Sequence, residues 1–475
     1  MIDDGAEEMS PALLREARRA AAALRGAESV LVVTHIDADG ITSGAIAAAA
    51  CRRLGKRCEV DFEKKITEET VAMINASEAD VVWVCDLGSA YMSMFTREGI
   101  VVTDHHVPDP AWRSGQTFLD GYDSSYQMNP HLFGVSGAYE VCGAGMTYIL
   151  AKAIDPANVD LAYLAVVGAV GDFQDARESR LVSWNRIILR DAVGNGDVAV
   201  SRGVRWYGRE SRPLLQFLQY GDEPKVPGVT DDREGCAELL YSYGVEQRGP
   251  DGGWRTWSDL PEGDRVALAG ALASRLGDPA DIGRLIGEVY SIERYEPGSG
   301  LHDSKEFATT LNSCGRYDDA ATGLKICEGD LSALAAAERN RTEHRRSISA
   351  ALAHVRSNHL LRKRRYVQYF DAGSEVRETV VGIVAGMVLN SEDADPGMPV
   401  IAFADAEDGV KVSVRAPKAL VDRGLDLSDV MKEASKRVGG LGGGHSVAAG
   451  ATIPPDRKGV FLDEVEDLVR TALNP

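Results

Sequence analysis

The stretch VVTHIDADGITSG, residues 32–44, decides how the rest of this 475-residue sequence reads. An apolar run, ESVLVVT (28–34), stops abruptly at three ionisable residues, His35, Asp37 and Asp39. Gly40 then opens GITSGAIAAAACRRLG (40–55), whose composition predicts a helix. A buried strand that hands over to a helix brings all three groups to the strand's carboxyl end. Like charges this close repel, and a buried carboxylate without a partner is costly. The stretch therefore predicts a cation at that end of the strand.

The alternation continues outward. SPALLREARRAAAALRG (10–26) has a Ser-Pro start and a Gly end and predicts a helix. Strands are expected at CEVDFE (58–63), ADVVWVCD (79–86) and IVVTD (100–104), with helices at 68–77 and at SAYMSMFTREG (89–99). Apolar strands separated by helices predict an α/β fold with a doubly wound parallel sheet. GAYEVCGAGMTYILAKAI (137–154) and VDLAYLAVVGAVG (159–171) read as packed helices. The chain from about 190 to 330 reads as mostly helical, and 331–358 as a long connecting helix rich in Ala and Arg. Beyond it, YVQYFDA, ETVVGIVAGMVL and MPVIAFADAEDGVKVSVRAP read as short strands of a smaller α/β domain. The expected domains are 1–190, 191–358 and 359–475.

Three predicted strands share one ending. VLVVT leads into His35, Asp37 and Asp39; VVWVC leads into Asp86; IVVT leads into Asp104, His105 and His106. In a parallel sheet these residues all lie at the carboxyl edge, where ligands bind. VVGAVGDFQD (166–175) adds Asp172 at a helix end. Taken singly, each residue has an ordinary reading, as a turn or cap residue or as a solvated histidine pair. Recurrence at one edge favours a site. Five aspartates and three histidines in one place require cations, and two divalent ions would offset them. Asp and His suit Mn²⁺, Mg²⁺, Fe²⁺ or Zn²⁺, and two such ions are a standard device for in-line attack on phosphorus. A calcium loop is excluded, because Ile46 stands where its twelfth-position Glu belongs and the flank is a strand.

A Gly-rich element, VGGLGGGHSVAAG (438–450), could bring backbone N–H groups close to a phosphate or could be a flexible hairpin. It is not a Walker loop. Arg415, in KVSVRAPK, could grip a phosphate or be solvated. The basic run at 339–366 could track a nucleic-acid backbone or be a solvated helix face. The net charge of −20 argues against non-specific coating of duplex DNA, although Arg outnumbers Lys about three to one. The seven cysteines are scattered without a CxxC pair, which predicts reduced core thiols. With no apolar run long enough to span a membrane and no signal-peptide pattern at MIDDGAEEMS, the expectation is a cytoplasmic protein without a membrane partner.

THIDADG, VCDLGS, TDHH and GAVGD, in that order, resemble motifs one to four of the DHH phosphoesterase superfamily. Its members include RecJ exonucleases, small-oligonucleotide nucleases, cyclic-dinucleotide phosphodiesterases and family II pyrophosphatases. GGLGGGHSVAAGATIP resembles the substrate-binding loop of the DHH-associated domain. CGAGMTYILAKAI, SRPLLQFLQY and EFATTLNSCGRYDDAATGLKICEGD are similar to the archaeal RecJ-like branch. The resemblance implies a catalytic domain at 1–190 and a substrate-binding domain at 359–475. It implies that His35 and Asp37 hold one ion, that Asp39, His105 and Asp172 hold the other, and that Asp86 bridges them. Asp104 would ligate or would orient His105, and His106 would face the scissile phosphate. Arg415 and the loop Gly442, Gly443, Gly444 and His445 would bind substrate. The ions implied are Mn²⁺, with Mg²⁺ as the alternative.

The function implied is a metal-dependent exonuclease on single-stranded DNA or RNA, with a two-metal-activated hydroxide attacking the phosphodiester. One alternative is a small-substrate phosphodiesterase for short oligoribonucleotides or cyclic dinucleotides. Its shorter relatives lack an intervening region like 191–358. The other is a replisome-associated scaffold binding the GINS complex, as some archaeal relatives do. Pyrophosphatases are shorter and lack a GGGHSVAAG-like loop. Polarity, sugar preference and oligomeric state are not written in these motifs.

Overall fold

The apolar run around Val32 forms strand β1 (Ser29–His35), and the following helix spans Ala38–Arg53. It starts earlier than its composition suggests because Asp37 caps it, accepting the Gly40 N–H at 2.9 Å. The acidic loop is thus itself a helix N-terminus. Strands β2 (Arg57–Glu63), β3 (Val81–Cys85), β4 (Ile100–Thr103) and β5 (Ser125–Met128) join β1 in the order β2-β1-β3-β4-β5, every neighbour parallel. This computed structural model describes residues 8–110 and 125–473, which divide into two compact units between Glu338 and Arg339.

Alternate strand residues enter opposite cores. Val32, Trp83 and Val101 pack with the helices Pro11–Gly26, Ala38–Arg53 and Gly143–Ile154. Val33, Val82, Val84 and Val102 pack with Ile74, from the helix Glu68–Ala76, on the other face. This two-sided burial is what makes the strands read as unbroken apolar runs. The strand order changes direction between β1 and β3, which places the crevice for a ligand at their carboxyl ends.

Three local expectations need correction. Residues 89–99 are not a full helix: a short 3₁₀ turn covers Ser89–Met94. Outside side chains capture its backbone, with Asp104 accepting the Ser89 N–H, Asp109 the Ser93 N–H, and Asn75 bonding both Met94 and Thr96. The mostly helical middle region also contains an antiparallel ribbon of β6 (Val198–Val204) and β7 (Ile286–Ile292). Between these strands the chain builds its own core around Trp206, Phe217, Trp257, Leu268 and Leu272. Finally, ETVVGIVAGMVL is the helix Glu378–Leu389, not a strand. Its Val and Ile content suggests β structure, but its buried positions, 380, 381, 384, 385 and 388, follow a helical period.

The helix Leu334–Ser357 spans the point where the two units divide. The second unit holds a six-stranded sheet, ordered β12-β13-β11-β10-β9-β8. Its strands are β8 (Arg362–Lys363), β9 (Gln368–Asp371), β10 (Val400–Ala406), β11 (Gly409–Arg415), β12 (Leu441–Gly444) and β13 (Ala448–Ile453). Only β9 and β10 run parallel. Among the described residues no helix is long and apolar enough to cross a membrane.

Candidate metal centre

The carboxyl ends of β1, β3 and β4 and the end of the helix Ala162–Gly171 bring the predicted acids and histidines together. Ligand atoms of His35, Asp37 and Asp86 lie within 4.8 Å of one another, as do those of Asp39, His105 and Asp172. Asp86 also groups with Asp104, His105 and His106. It is a non-glycine residue at φ 57°, a left-handed conformation that is uncommon outside functional positions. Its backbone N–H is tied to the Thr103 carbonyl at 2.8 Å, so β4 positions it.

The first group is compact: His35 Nδ1 stands 3.0 Å from Asp37 Oδ2 and 3.5 Å from Asp86 Oδ2. In the second, His105 Nε2 stands 3.2 Å from Asp86 Oδ1 and 3.7 Å from Asp39 Oδ2. Asp39 accepts the Gly143 and Ala144 N–H groups at 2.7 and 2.8 Å, at the N-terminus of the helix Gly143–Ile154. The helix end partly offsets its charge. Gly143 has to be glycine, since a Cβ there would fall 2.6 Å from Asp86 Oδ1.

Asp104 behaves differently from the other acids. Its Oδ1 accepts the His105 and His106 N–H groups at 2.7 and 3.1 Å and the His106 ring Nδ1 at 2.8 Å, and its Oδ2 accepts the Ser89 N–H at 2.8 Å. The ring it grips is that of His106, while the His105 ring donates to the Gly137 carbonyl at 2.6 Å. The half-exposed His106 is thereby aimed by a buried carboxylate.

Electrostatics point to missing positive charge. Burial first, then Asp86, raise Asp39 well above the ordinary carboxylate range, and the His105 imidazole only partly opposes them. Burial likewise pushes Asp172 up to about 6, with Asp86 and Asp37 adding to it against His105. Burial would lower His35 and His105, but the surrounding aspartates overturn it and hold both well above an ordinary histidine. The buried Asp86 Oδ1 accepts no hydrogen bond. A carbonyl can only accept, so His105 carries a proton on Nδ1, and its Nε2 faces the Asp86 oxygen at 3.2 Å. A positive charge is needed between these two atoms, whether as a second ring proton or as a metal ion that takes its place. Acids, imidazoles and no thiolate suit two hard or borderline divalent ions.

Two residues that sequence reasoning passed over approach the site from far along the chain. Asn312 and Arg316 lie on the helix Ser304–Arg316. Asn312 Oδ1 accepts the Ala38 N–H at 2.9 Å. Gly315 packs so closely that a Cβ would fall 1.8 Å from the Ile36 carbonyl. Burial lowers the Arg316 guanidinium, and Asp37 opposes that shift. The quoted EFATTLNSCGRYDD contained both residues, but nothing local linked them to residue 37.

In the second unit the other predicted residues form one patch. Arg415 lies opposite Ala448 in the β11–β13 register, and the Ala416 N–H donates to the Val447 carbonyl at 3.0 Å. His445 and Ala448 exchange backbone hydrogen bonds at the β12–β13 turn, so Gly442, Gly443 and Gly444 are an edge strand leading into an exposed His445. Burial lowers the Arg415 guanidinium, and among the described residues no carboxylate pairs with it.

Family models match three parts of the chain: the N-terminal domain of the DHH family at residues 29–169, the DHH-CID domain at 206–279 and the DHHA1 domain at 365–471. The chain belongs to the DHH family of metal-dependent phosphoester hydrolases. Two relatives align along nearly all of this DHH protein. An uncharacterised protein of Methanocaldococcus jannaschii is 26% identical over 445 residues, covering 93% of each chain. The single-stranded-DNA-specific exonuclease RecJ of Dickeya dadantii is 25% identical, covering 94% of this chain and 67% of its own. Among solved structures, Thermus thermophilus RecJ in complex with Mn²⁺ superposes with a TM-score of 0.58 at 16% identity. That match covers 99% of the DHH chain, which spans only about half (56%) of the RecJ chain. CDC45 from Entamoeba histolytica superposes with a TM-score of 0.61 at 10% identity, covering 96% and 98%. At these identities the structural likenesses show a shared RecJ-like fold.

Proposed function

We propose that this protein is a RecJ-like exonuclease on single-stranded DNA or RNA, using two divalent ions, Mn²⁺ or Mg²⁺. The observation that carries the reading is the pair of ligand groups meeting at Asp86. On this reading His35 and Asp37 would hold one ion, Asp39, His105 and Asp172 would hold the other, and Asp86 would serve both. Bound there, the ions supply a water of lowered pKa and positive charge for the phosphoryl oxygens. The chain's own residues do the rest. Asp104 and Asp86 hold His106 above the ordinary histidine value despite burial and its neighbour His105, so it presents a cation to a phosphate oxygen. Phe173, next to Asp172, is 71% exposed at φ 57° and offers an aromatic face to a base. In the second unit, Arg415, which has no carboxylate partner among the described residues, and the Gly442–His445 edge suit a substrate phosphate.

The test is a time course with Mn²⁺ on single-stranded DNA and RNA labelled separately at each end, with chelator and Asp104→Ala controls. Labelled mononucleotide released at once from one end is expected. Inert long strands alongside cleaved dinucleotides would overturn the exonuclease reading in favour of a small-substrate phosphodiesterase. A second reading, a replication-complex partner such as GINS, draws on the end-to-end fold likeness to CDC45. Its test is capture of that partner by the intact chain.

A further inference from the structure

His105 and Asp172 are held by a relay of buried amides. The His105 ring donates from Nδ1 to the Gly137 carbonyl, and that carbonyl also accepts from Gln174 Nε2 at 2.9 Å. The same nitrogen donates its other hydrogen to Asp172 Oδ2 at 3.1 Å. Gln174 Oε1 accepts from Asn185 Nδ2 at 2.6 Å, and Asn185 is anchored through its backbone N–H on the Glu140 carbonyl at 3.0 Å. Gln174 and Asn185 are 1% and 2% exposed, so bulk water does not compete for these bonds.

Chemistry decides which way the Gln174 amide points. Two groups that can only accept, a carbonyl and an ionised carboxylate, face its nitrogen, and a donor faces its oxygen. Turned round, the amide would set oxygen against both acceptors and nitrogen against the Asn185 amino group. One orientation satisfies every group, and it fixes two ligands at once. The Gly137 carbonyl cannot shift without pulling Gln174, so the His105 tautomer and the Asp172 rotation are set together.

We propose that Gln174, oriented by Asn185, is the positioning residue of the Asp39, His105 and Asp172 ion site, coupling through the Gly137 carbonyl the nitrogen that His105 presents to the carboxylate rotation of Asp172. It rests on the two-ion reading above. Gln174 is buried and bonds to Asp172 and to the carbonyl that holds His105, so its contribution is preorganisation of two residues from distant parts of the chain. Partners of this kind typically change metal affinity about 10- to 100-fold.

The experiment is a Mn²⁺ titration of the full chain by electron paramagnetic resonance and calorimetry. It compares wild type, Gln174→Met and Asn185→Asp, with a thermal melt in chelator to check folding. Met keeps the length of Gln and removes both donors. Ionised Asp at 185 has no donor to offer and sets a carboxylate against Gln174 Oε1, so the orientation that serves Asp172 and the Gly137 carbonyl loses its support. Wild type is expected to bind two ions. In each variant one site is expected to weaken about 10- to 100-fold while the other holds. Activity of both variants should recover at high Mn²⁺ without a change in substrate KM. If wild type binds two ions and both folded variants match it, the role of Gln174 falls and the two-ion reading stands. A wild type that binds only one ion overturns the two-ion reading and this proposal together. Should Gln174→Met fail to fold, Asn185→Asp alone decides.

Discussion

Asp172 and its histidine neighbours make the metal-free protein sensitive to pH in a definite direction. Asp172 has a folded pKa of about 6 against 3.8 for the free side chain, mainly through burial. Its proton therefore favours the folded state, a contribution present below pH 3.8 and lost as pH rises through about 6. His35, His105 and His106 are raised despite burial, so their contribution is present below 6.5 and lost as pH climbs through their folded values. Asp37 and Asp104 are depressed, despite burial, by His35 and His106 respectively. Their contribution is complete above pH 3.8 and lost only in stronger acid. In chelator, the melting temperature should thus fall between pH 5 and 8. Added Mn²⁺ should stabilise more at pH 8 than at pH 5, because protons compete for its ligands. A melting temperature that rises with pH in chelator would show that these groups are not clustered as described. At this scale the sequence was most legible where ionisable residues followed strand ends, since those are residues the structure brings together. Gln174, Asn185, Asn312 and Arg316 were not, because they act through amides or reach the site from another part of the chain.

Helices deliver several of these contacts, and one of them braces the loop that carries the candidate ligands His35 and Asp37. The helix Ser304–Arg316 approaches the Ile36–Ala38 backbone through Gly315 and Asn312, 274 residues from the Ala38 N–H that Asn312 accepts. Gly315→Ala forces the helix or loop to move, and overpacking of this kind costs about 1–3 kcal/mol. We expect a lower melting temperature and a larger loss of phosphoester hydrolysis than Asn312→Ala produces, the latter removing one capping bond and adding no volume. Equal activity of Gly315→Ala and wild type would show that the loop tolerates displacement. Element type was legible where burial and periodicity agreed, as in β1, β3 and β4. It was misread at Glu378–Leu389, where β-branched residues fill a helix face, and at 89–99, where side chains from elsewhere claim the backbone.

Within the first unit, the middle region is tied to the catalytic sheet by buried ion pairs. Arg205 pairs with Asp175, three residues past Asp172, and Arg209 pairs at 3.2 Å with Asp303, the N-cap of the bracing helix. Glu306, on that helix, accepts the Glu210 N–H at 2.7 Å. Removing one partner of a buried pair costs about 3–5 kcal/mol. Arg209→Ala should therefore lower the denaturation midpoint strongly, followed by tryptophan fluorescence, whereas Arg284→Ala, at an exposed pair with Asp281 in the same unit, should leave it unmoved. The family was legible from the motifs. The ribbon that frames the middle region was not, because its two strands lie far apart in sequence.

That ribbon makes the middle region a cassette. Val204 sits opposite Ile286, and the Arg205 N–H donates to the Leu285 carbonyl at 2.9 Å, so the chain leaves and re-enters at one point. What lies between has its own core. An ancestral β6–β7 hairpin closed by a short turn could therefore have accepted the whole segment, or shed it, without re-threading any strand of the catalytic sheet. A change of length in this segment would leave in place the strands whose ends carry the candidate metal ligands.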